Sequence, residues 1–121
     1  MAKTILIVDD FESSRNILEK TLANAGYNIL KGEDGKEALK RFDGSAIDLV
    51  ITDLNMPNMD GLTLTKSIRE IRNYQYVPVI LLTTSTKSDQ QELAKSAGVT
   101  MCMAKPYNVE TLLMTVKKMI R

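Results

Sequence analysis

Three aspartates, two threonines and one lysine stand where this chain could do chemistry. Asp9 and Asp10 close the apolar run "ILIV", Asp53 closes "DLVITD", Thr83 and Thr84 close "PVILLTT", and Lys105 follows "TMCMA" and precedes Pro106. Two unit charges ~4 Å apart repel by about 4 kcal/mol at an effective dielectric of ~20. Carboxylates gathered in one place therefore take up a proton or bind a cation. A set of carboxylate oxygens suits a hard cation, Mg²⁺ before others. A fixed ammonium and a hydroxyl beside such an ion make a place for a phosphoryl group, whose transfer asks the protein mainly for positioning and charge neutralisation. Asp53 lies between the acid pair and Thr83, which makes it the candidate nucleophile, forming an aspartyl-phosphate. The following "LNMPNMDG" keeps backbone near the ion: Asn55 offers a carbonyl, and Pro57 and Gly61 shape a turn.

This reading requires all those residues to reach one edge, and the order of elements provides it. Strand patterns at residues 4–10, 27–32, 47–53, 77–85 and 99–106 alternate with helical patterns. The first helix is expected to turn Ile17, Leu18, Leu22 and Ala25 inward and to stop at Gly26. The second turns in Ala38, Leu39 and Phe42, and the third Leu64, Ile68 and Ile71. The fourth has only Leu93, Ala94 and Ala97 to offer. The last, capped by Asn108, offers Val109, Leu112, Leu113, Val116 and Ile120. Five strand–helix repeats with near-continuous apolar strands predict an α/β fold, a doubly wound parallel sheet with helices on both faces. In such sheets sites form beyond the carboxyl ends of the strands, where all the residues above lie.

Composition sets bounds. The 121 residues are expected to form one domain, residues 1–121, without an effector domain. The net charge of +1 gives no bulk electrostatic case for nucleic acid or an anionic membrane. The start, "MAKTILIVDD", is no signal peptide, because its apolar run is short and ends in acid. No apolar run approaches the ~20 residues of a membrane span. One cysteine makes no internal disulfide, in keeping with a reducing, cytoplasmic setting. The absence of histidine removes every histidine base, ligand or phosphohistidine from the chain itself.

Taken in order, "ILIVDD", "DLVITDLNMPNMDGL", "PVILLTT" and "AKPY" give the chain its family likeness: it resembles the receiver domain of two-component response regulators, of the stand-alone CheY-like type, over its whole length. The resemblance implies a five-stranded, flavodoxin-like (βα)5 fold with strand order 2-1-3-4-5. It implies that Asp53 accepts a phosphoryl group from the phosphohistidine of a histidine kinase. Asp10, Asp53 and the Asn55 carbonyl would bind Mg²⁺ directly and Asp9 through water. Thr83 would hydrogen-bond the phosphoryl group and Lys105 would pair with it. Asn55 and Ser85 would tune the hydrolysis rate, and Lys105–Pro106 would be a cis peptide. Output would be by docking of a monomer, to a flagellar motor switch protein in chemotaxis or to the next member of a phosphorelay. One position departs from the pattern. An aromatic or histidine switch residue usually stands three places before the lysine, where this chain has Cys102; on its own terms, a lone cysteine in a strand reads as a small core residue.

Phe11 and Tyr107 follow the acid pair and the proline and are candidate docking residues for the partner that carries the donor histidine. The weakly apolar fourth helix predicts low anchoring, so the response is expected to centre on it, the fifth strand and the last helix. Two rival classes fare worse. A haloacid-dehalogenase-type phosphatase needs an acid two places after its nucleophile, where this chain has Asn55. A flavodoxin needs an uncharged phosphate loop after the first strand, where this chain has "DDFESS".

Overall fold

The computed structural model describes residues 2–84 and 87–120. Its elements are β1 (Thr4–Val8), α1 (Glu12–Asn24), β2 (Asn28–Gly32), α2 (Gly35–Leu39), β3 (Leu49–Asp53), α3 (Gly61–Glu70), a short 3-10 turn (Arg72–Tyr74), β4 (Val79–Thr83), α4 (Ser88–Ala97), β5 (Met101–Ala104) and α5 (Val109–Met119). All strand pairs are parallel and their order is β2-β1-β3-β4-β5, as the resemblance implied.

Alternation along each strand divides the core into two layers. Leu6 and Val8 of β1, Val50 of β3 and Val79 of β4 point to one face and meet Ala38, Phe42, Leu64, Ile68 and Tyr74. Ile5, Ile7, Leu49, Ile51, Ile80 and Leu82 point to the other and meet Leu18, Leu22, Leu112 and Val116. β3 and β4 are buried along their whole length, as the middle of a doubly covered sheet requires. A smaller cluster of Leu54, Leu81 and Ala94, joined by Leu62, Val99 and Cys102, lies under α4.

The helices end where their polar residues dictate. Asp34, Asp60 and Asn108 cap α2, α3 and α5 by accepting from the backbone N–H groups of Glu37, Thr63 and Thr111. Gly26 follows the end of α1 with φ +101°. Arg69 fastens the far end of the sheet. Its Nε and Nη2 donate to the Gly98 carbonyl (3.1 and 2.7 Å), and its Nη1 to those of Val77 (2.7 Å) and Tyr74 (3.3 Å). Burial lowers its pKa from the usual arginine value.

Four apolar positions expected inside lie outside. Ile17, Leu93 and Val109 are 61%, 55% and 48% exposed, and Ala25 is exposed at the C-cap of α1. The reason is geometric. α1 buries the i, i+4 pair Leu18 and Leu22, and α4 the i, i+3 pair Ala94 and Ala97, so the residue just before each pair rotates off the contact line. Val109 opens the first turn of α5, ahead of the buried Leu112 and Val116. Strands β1 and β3 are also shorter than the expected spans 4–10 and 47–53, leaving Asp9 and Asp10 just past the end of β1.

Gly61 opens α3 in contact with β3. A Cβ there would lie 2.2 Å from the carbonyl oxygen of Asp53 and 2.8 Å from Leu81 Cδ1. Relief would have to come from backbone, the costly kind of overpacking. Gly61→Ala is expected to destabilise the protein by about 2–4 kcal/mol in urea unfolding; a loss under ~0.5 kcal/mol would show that the β3–α3 junction yields freely.

Candidate functional site

The parallel sheet places four strand ends side by side, and the site follows from that register. Asp53 ends β3 opposite Leu82 of β4, and Thr83 ends β4 opposite Ala104 of β5. The backbone N–H of Lys105 donates to the Thr83 carbonyl (2.9 Å), so the ladder continues one residue past β5 and holds Lys105 beside Thr83. In the same way the Asp9 N–H donates to the Gly32 carbonyl (3.2 Å) and the Leu54 N–H to that of Leu82 (3.1 Å). Lys105–Pro106 is cis.

Asp9, Asp10 and Asp53 converge: one oxygen from each lies within 4.8 Å of those of the other two. Asp9 and Asp53 are buried and Asp10 is the most open of the three. Asp9 Oδ1 accepts from the Phe11 N–H (2.9 Å), which fixes its side chain. Lys105 Nζ lies 2.6 Å from Asp53 Oδ1 as an ion pair. That oxygen is buried with the ammonium as its partner, whereas Asp10 Oδ1 is buried without a hydrogen-bond partner among the described residues. A buried carboxylate oxygen without a partner is costly, and three carboxylates with one oxygen each within 4.8 Å of the others are the donor set of a hard divalent cation. The site residues therefore fit Mg²⁺. Asn55 lies exposed two residues after Asp53, and Thr83 is buried. Both line a cleft of about 140 Å³ with Asp53, Lys105 and Phe11.

Electrostatics tell the same story. Burial pushes the Asp53 pKa up to about 6; the Lys105 ammonium opposes this, and the charge of Asp9 adds to it. Burial raises the Cys102 thiol and, with the charges of Asp9 and Asp53, the Tyr107 phenol. Cys102 is half-buried against the cluster under α4. Ser85 lies outside the described residues.

Of the two candidate docking residues, Phe11 is 65% exposed at the lip of the cleft, and Tyr107 is half-buried. Tyr107 lines a second, mostly apolar groove of about 510 Å³ between α1 and α5, together with Ile17 and Val109. Asp9 and Lys105 line this groove as well, so it borders the acidic site. Sequence reasoning missed Ile17 and Val109 as surface residues. Helical periodicity marks them as apolar without showing that no third element covers them.

A raised carboxylate pKa has a definite sign. The folded state binds the Asp53 proton more tightly than the unfolded chain, so this group's contribution is most favourable below about pH 3.8 and is lost as pH rises through about 6. In metal-free buffer, Asp53→Asn is expected to match the parent near pH 4 and to exceed it by about 1–3 kcal/mol at pH 7.5. Saturating Mg²⁺, at about ten times its Kd, adds about 1.4 kcal/mol to the parent. Paired urea titrations at the two pH values check both; a variant advantage that fails to grow with pH removes Asp53 as the strained group.

The comparisons with known proteins bear on the whole chain. A family model described as "Response regulator receiver domain" matches residues 5–117. The chain is 38% identical to chemotaxis protein CheY-3 of Vibrio cholerae over 109 residues, 89% of this chain and 84% of that protein. It is 35% identical to chemotaxis protein CheY of Pseudomonas aeruginosa over 115 residues, 94% and 93% of the two. Sensor protein EvgS of Escherichia coli is 37% identical over 90% of this chain, which spans only 9% of that protein's length. Among solved structures, CheY4 of Vibrio cholerae superposes with a TM-score of 0.93 at 36% identity, over 99% of this chain and all of that one. The receiver domain of sensor histidine kinase PA1611 from Pseudomonas aeruginosa, solved with a magnesium ion coordinated in its active site cleft, gives 0.89 at 27% identity, covering 98% and 97%.

Proposed function

The chain belongs to the response regulator receiver domain family, and from that premise we propose that it accepts a phosphoryl group on Asp53 from the phosphohistidine of a partner histidine kinase and signals by docking to a target protein. The observation that supports this best is the convergence of one carboxylate oxygen each from Asp9, Asp10 and Asp53 within 4.8 Å of one another, with Lys105 Nζ 2.6 Å from Asp53 Oδ1.

Asp53 is the nucleophile. One carboxylate oxygen attacks phosphorus as the P–N bond to the donor imidazole breaks, and that nitrogen leaves with its electron pair and takes a proton. Bound at Asp9, Asp10, Asp53 and the Asn55 carbonyl, Mg²⁺ would supply positive charge against the phosphoryl oxygens. Lys105 neutralises another of those oxygens, and the Thr83 hydroxyl donates to a third. Hydrolysis reverses the modification: water attacks phosphorus, the bond to Asp53 breaks, inorganic phosphate departs and the carboxylate is restored. Asn55 and Ser85, two positions beyond Asp53 and Thr83 in the sequence, set its rate. The chain thus catalyses its own modification and turns over no separate substrate.

Output follows from the same residues. Thr83 moves toward the phosphoryl group and carries β4 and the thinly anchored α4 with it. Cys102 has no ring to turn into the space this leaves, so the response runs through Thr83, α4 and β5 without an aromatic rotation. Phe11, Tyr107, Ile17 and Val109 receive the helical partner that carries the donor histidine, because Phe11 lines the cleft of Asp53 and the other three line a groove that shares Lys105 with that cleft. The likeness to chemotaxis CheY proteins supports a flagellar motor switch as the target. The likeness to a segment of the sensor protein EvgS supports a second reading, in which the domain is an intermediate of a phosphorelay.

Acetyl phosphate with Mg²⁺ is expected to add one phosphoryl group to the wild type by intact mass, none to Asp53→Asn, and none to the wild type after chelation of Mg²⁺. Equal labelling of the two proteins removes Asp53 from the mechanism. Ile17→Asp is expected to slow transfer from a phosphorylated kinase about tenfold, within the range for an interface anchor, while labelling by acetyl phosphate continues unchanged. Unchanged transfer from the kinase would separate the α1–α5 groove from docking.

A further inference from the structure

The loop from Asp53 to Gly61 carries Asn55, yet the element that fastens this loop is α2, at the edge of the sheet. Asn58 Nδ2 donates to Asp34 Oδ2 (2.8 Å). The other oxygen of Asp34 accepts from the Glu37 N–H (2.9 Å) and caps α2. Asn58 has φ +68°, the one positive φ on a residue other than glycine among the described residues. Such a conformation is sparsely populated and persists where neighbours hold it. The neighbours are close. A Cβ on Gly35, the first residue of α2, would lie 2.7 Å from the side chain of Met59 and 2.8 Å from its carbonyl oxygen, so helix and loop touch backbone to backbone. Met56 and Met59 pack into the layer that holds Leu6 and Val8. At the far end, the Gly61 N–H donates to the Leu54 carbonyl (2.8 Å). Asn55 stands between Leu54 and Met56, each of which is held in place.

We propose that Asn58 and Asp34 are positioning residues for the metal centre: their hydrogen bond ties the β3–α3 loop to the N-terminus of α2 and so holds Asn55 against the Asp9–Asp10–Asp53 cluster. This rests on the reading of that cluster as a Mg²⁺ site. The bond is built for constancy. Its acceptor carboxyl is held below the usual carboxylate range, first by the Glu37 N–H and then by the Asn58 amide, so it remains an acceptor throughout neutral pH. Neither residue belongs to the Asp9–Asp10–Asp53 cluster, and both act through the loop. Partners that orient metal ligands this way typically change affinity when removed, although their side chains never meet the metal.

The test separates positioning from stability. Asn58→Gly removes the amide but accepts φ +68° without strain. Asp34→Ser keeps a side-chain oxygen to cap α2 and removes the second oxygen. Mg²⁺ titration followed by backbone amide NMR shifts is expected to give a Kd about three- to tenfold weaker for each variant, with Tm within about 2 °C of the wild type. The double variant is expected to be no weaker than either single one, because both remove the same bond. Unchanged Mg²⁺ affinity in Asn58→Gly, or losses that multiply in the double variant, would overturn the proposal. A wild type that binds no Mg²⁺ brings down the reading of the site itself, and this inference with it.

Discussion

Asp9, Asp10 and Asp53 repel one another, and the rest of the molecule is arranged to hold them together regardless. Each sits at or just beyond the end of a strand whose other residues are buried, so the hydrophobic layers fix the backbone from which the carboxylates project. Neighbouring strands lie ~4.8 Å apart, and β1 and β3 are neighbours. The spacing of a parallel sheet is thus converted into close approach of like charges. Burial first, and after it the charge of Asp9, raise the Asp53 pKa to about 6 against the pull of the Lys105 ammonium. The stored repulsion and the capacity to gather a cation are one property seen from two sides.

The supporting parts divide by rigidity. β3 and β4 are sealed from both faces, and Gly61 presses α3 against the carbonyl of Asp53, so the backbone of Asp53 has no slack. Toward β5 the packing thins. α4 buries two alanines, lacks a side-chain N-cap, and shares its cluster with the small thiol of Cys102. Local opening is least costly where few apolar groups are buried, and that region starts at Thr83 and Lys105. Firm geometry on one side of the site and low cost of movement on the other are what a reversible covalent signal needs.

Much of this was legible in the residues. Continuous apolar strands ending in acid, hydroxyl and ammonium groups located the site, because parallel strands present their carboxyl ends together. The cap at Asn108 and the stop at Gly26 were readable because one side chain or one φ value decides each. Ile17, Leu93 and Val109 were misplaced because burial depends on what lies across from a helix, which a helix's own sequence does not contain. The bond between Asn58 and Asp34 left no signal either, since it joins residues 24 positions apart through ordinary polar side chains.

Arg69 closes the seam between α3, α4 and the approach to β4 with hydrogen bonds to three carbonyls, those of Gly98, Tyr74 and Val77. A guanidinium forks in one plane, and no ammonium reproduces that reach. This corner is therefore joined like carpentry, by a shaped peg, where the remainder of the interior is filled like masonry. Side chains as small as Ala94 and Ala97 suffice to seat α4, because its tail is pinned from outside the oily layer. A hinge needs one fixed end, and the peg supplies it.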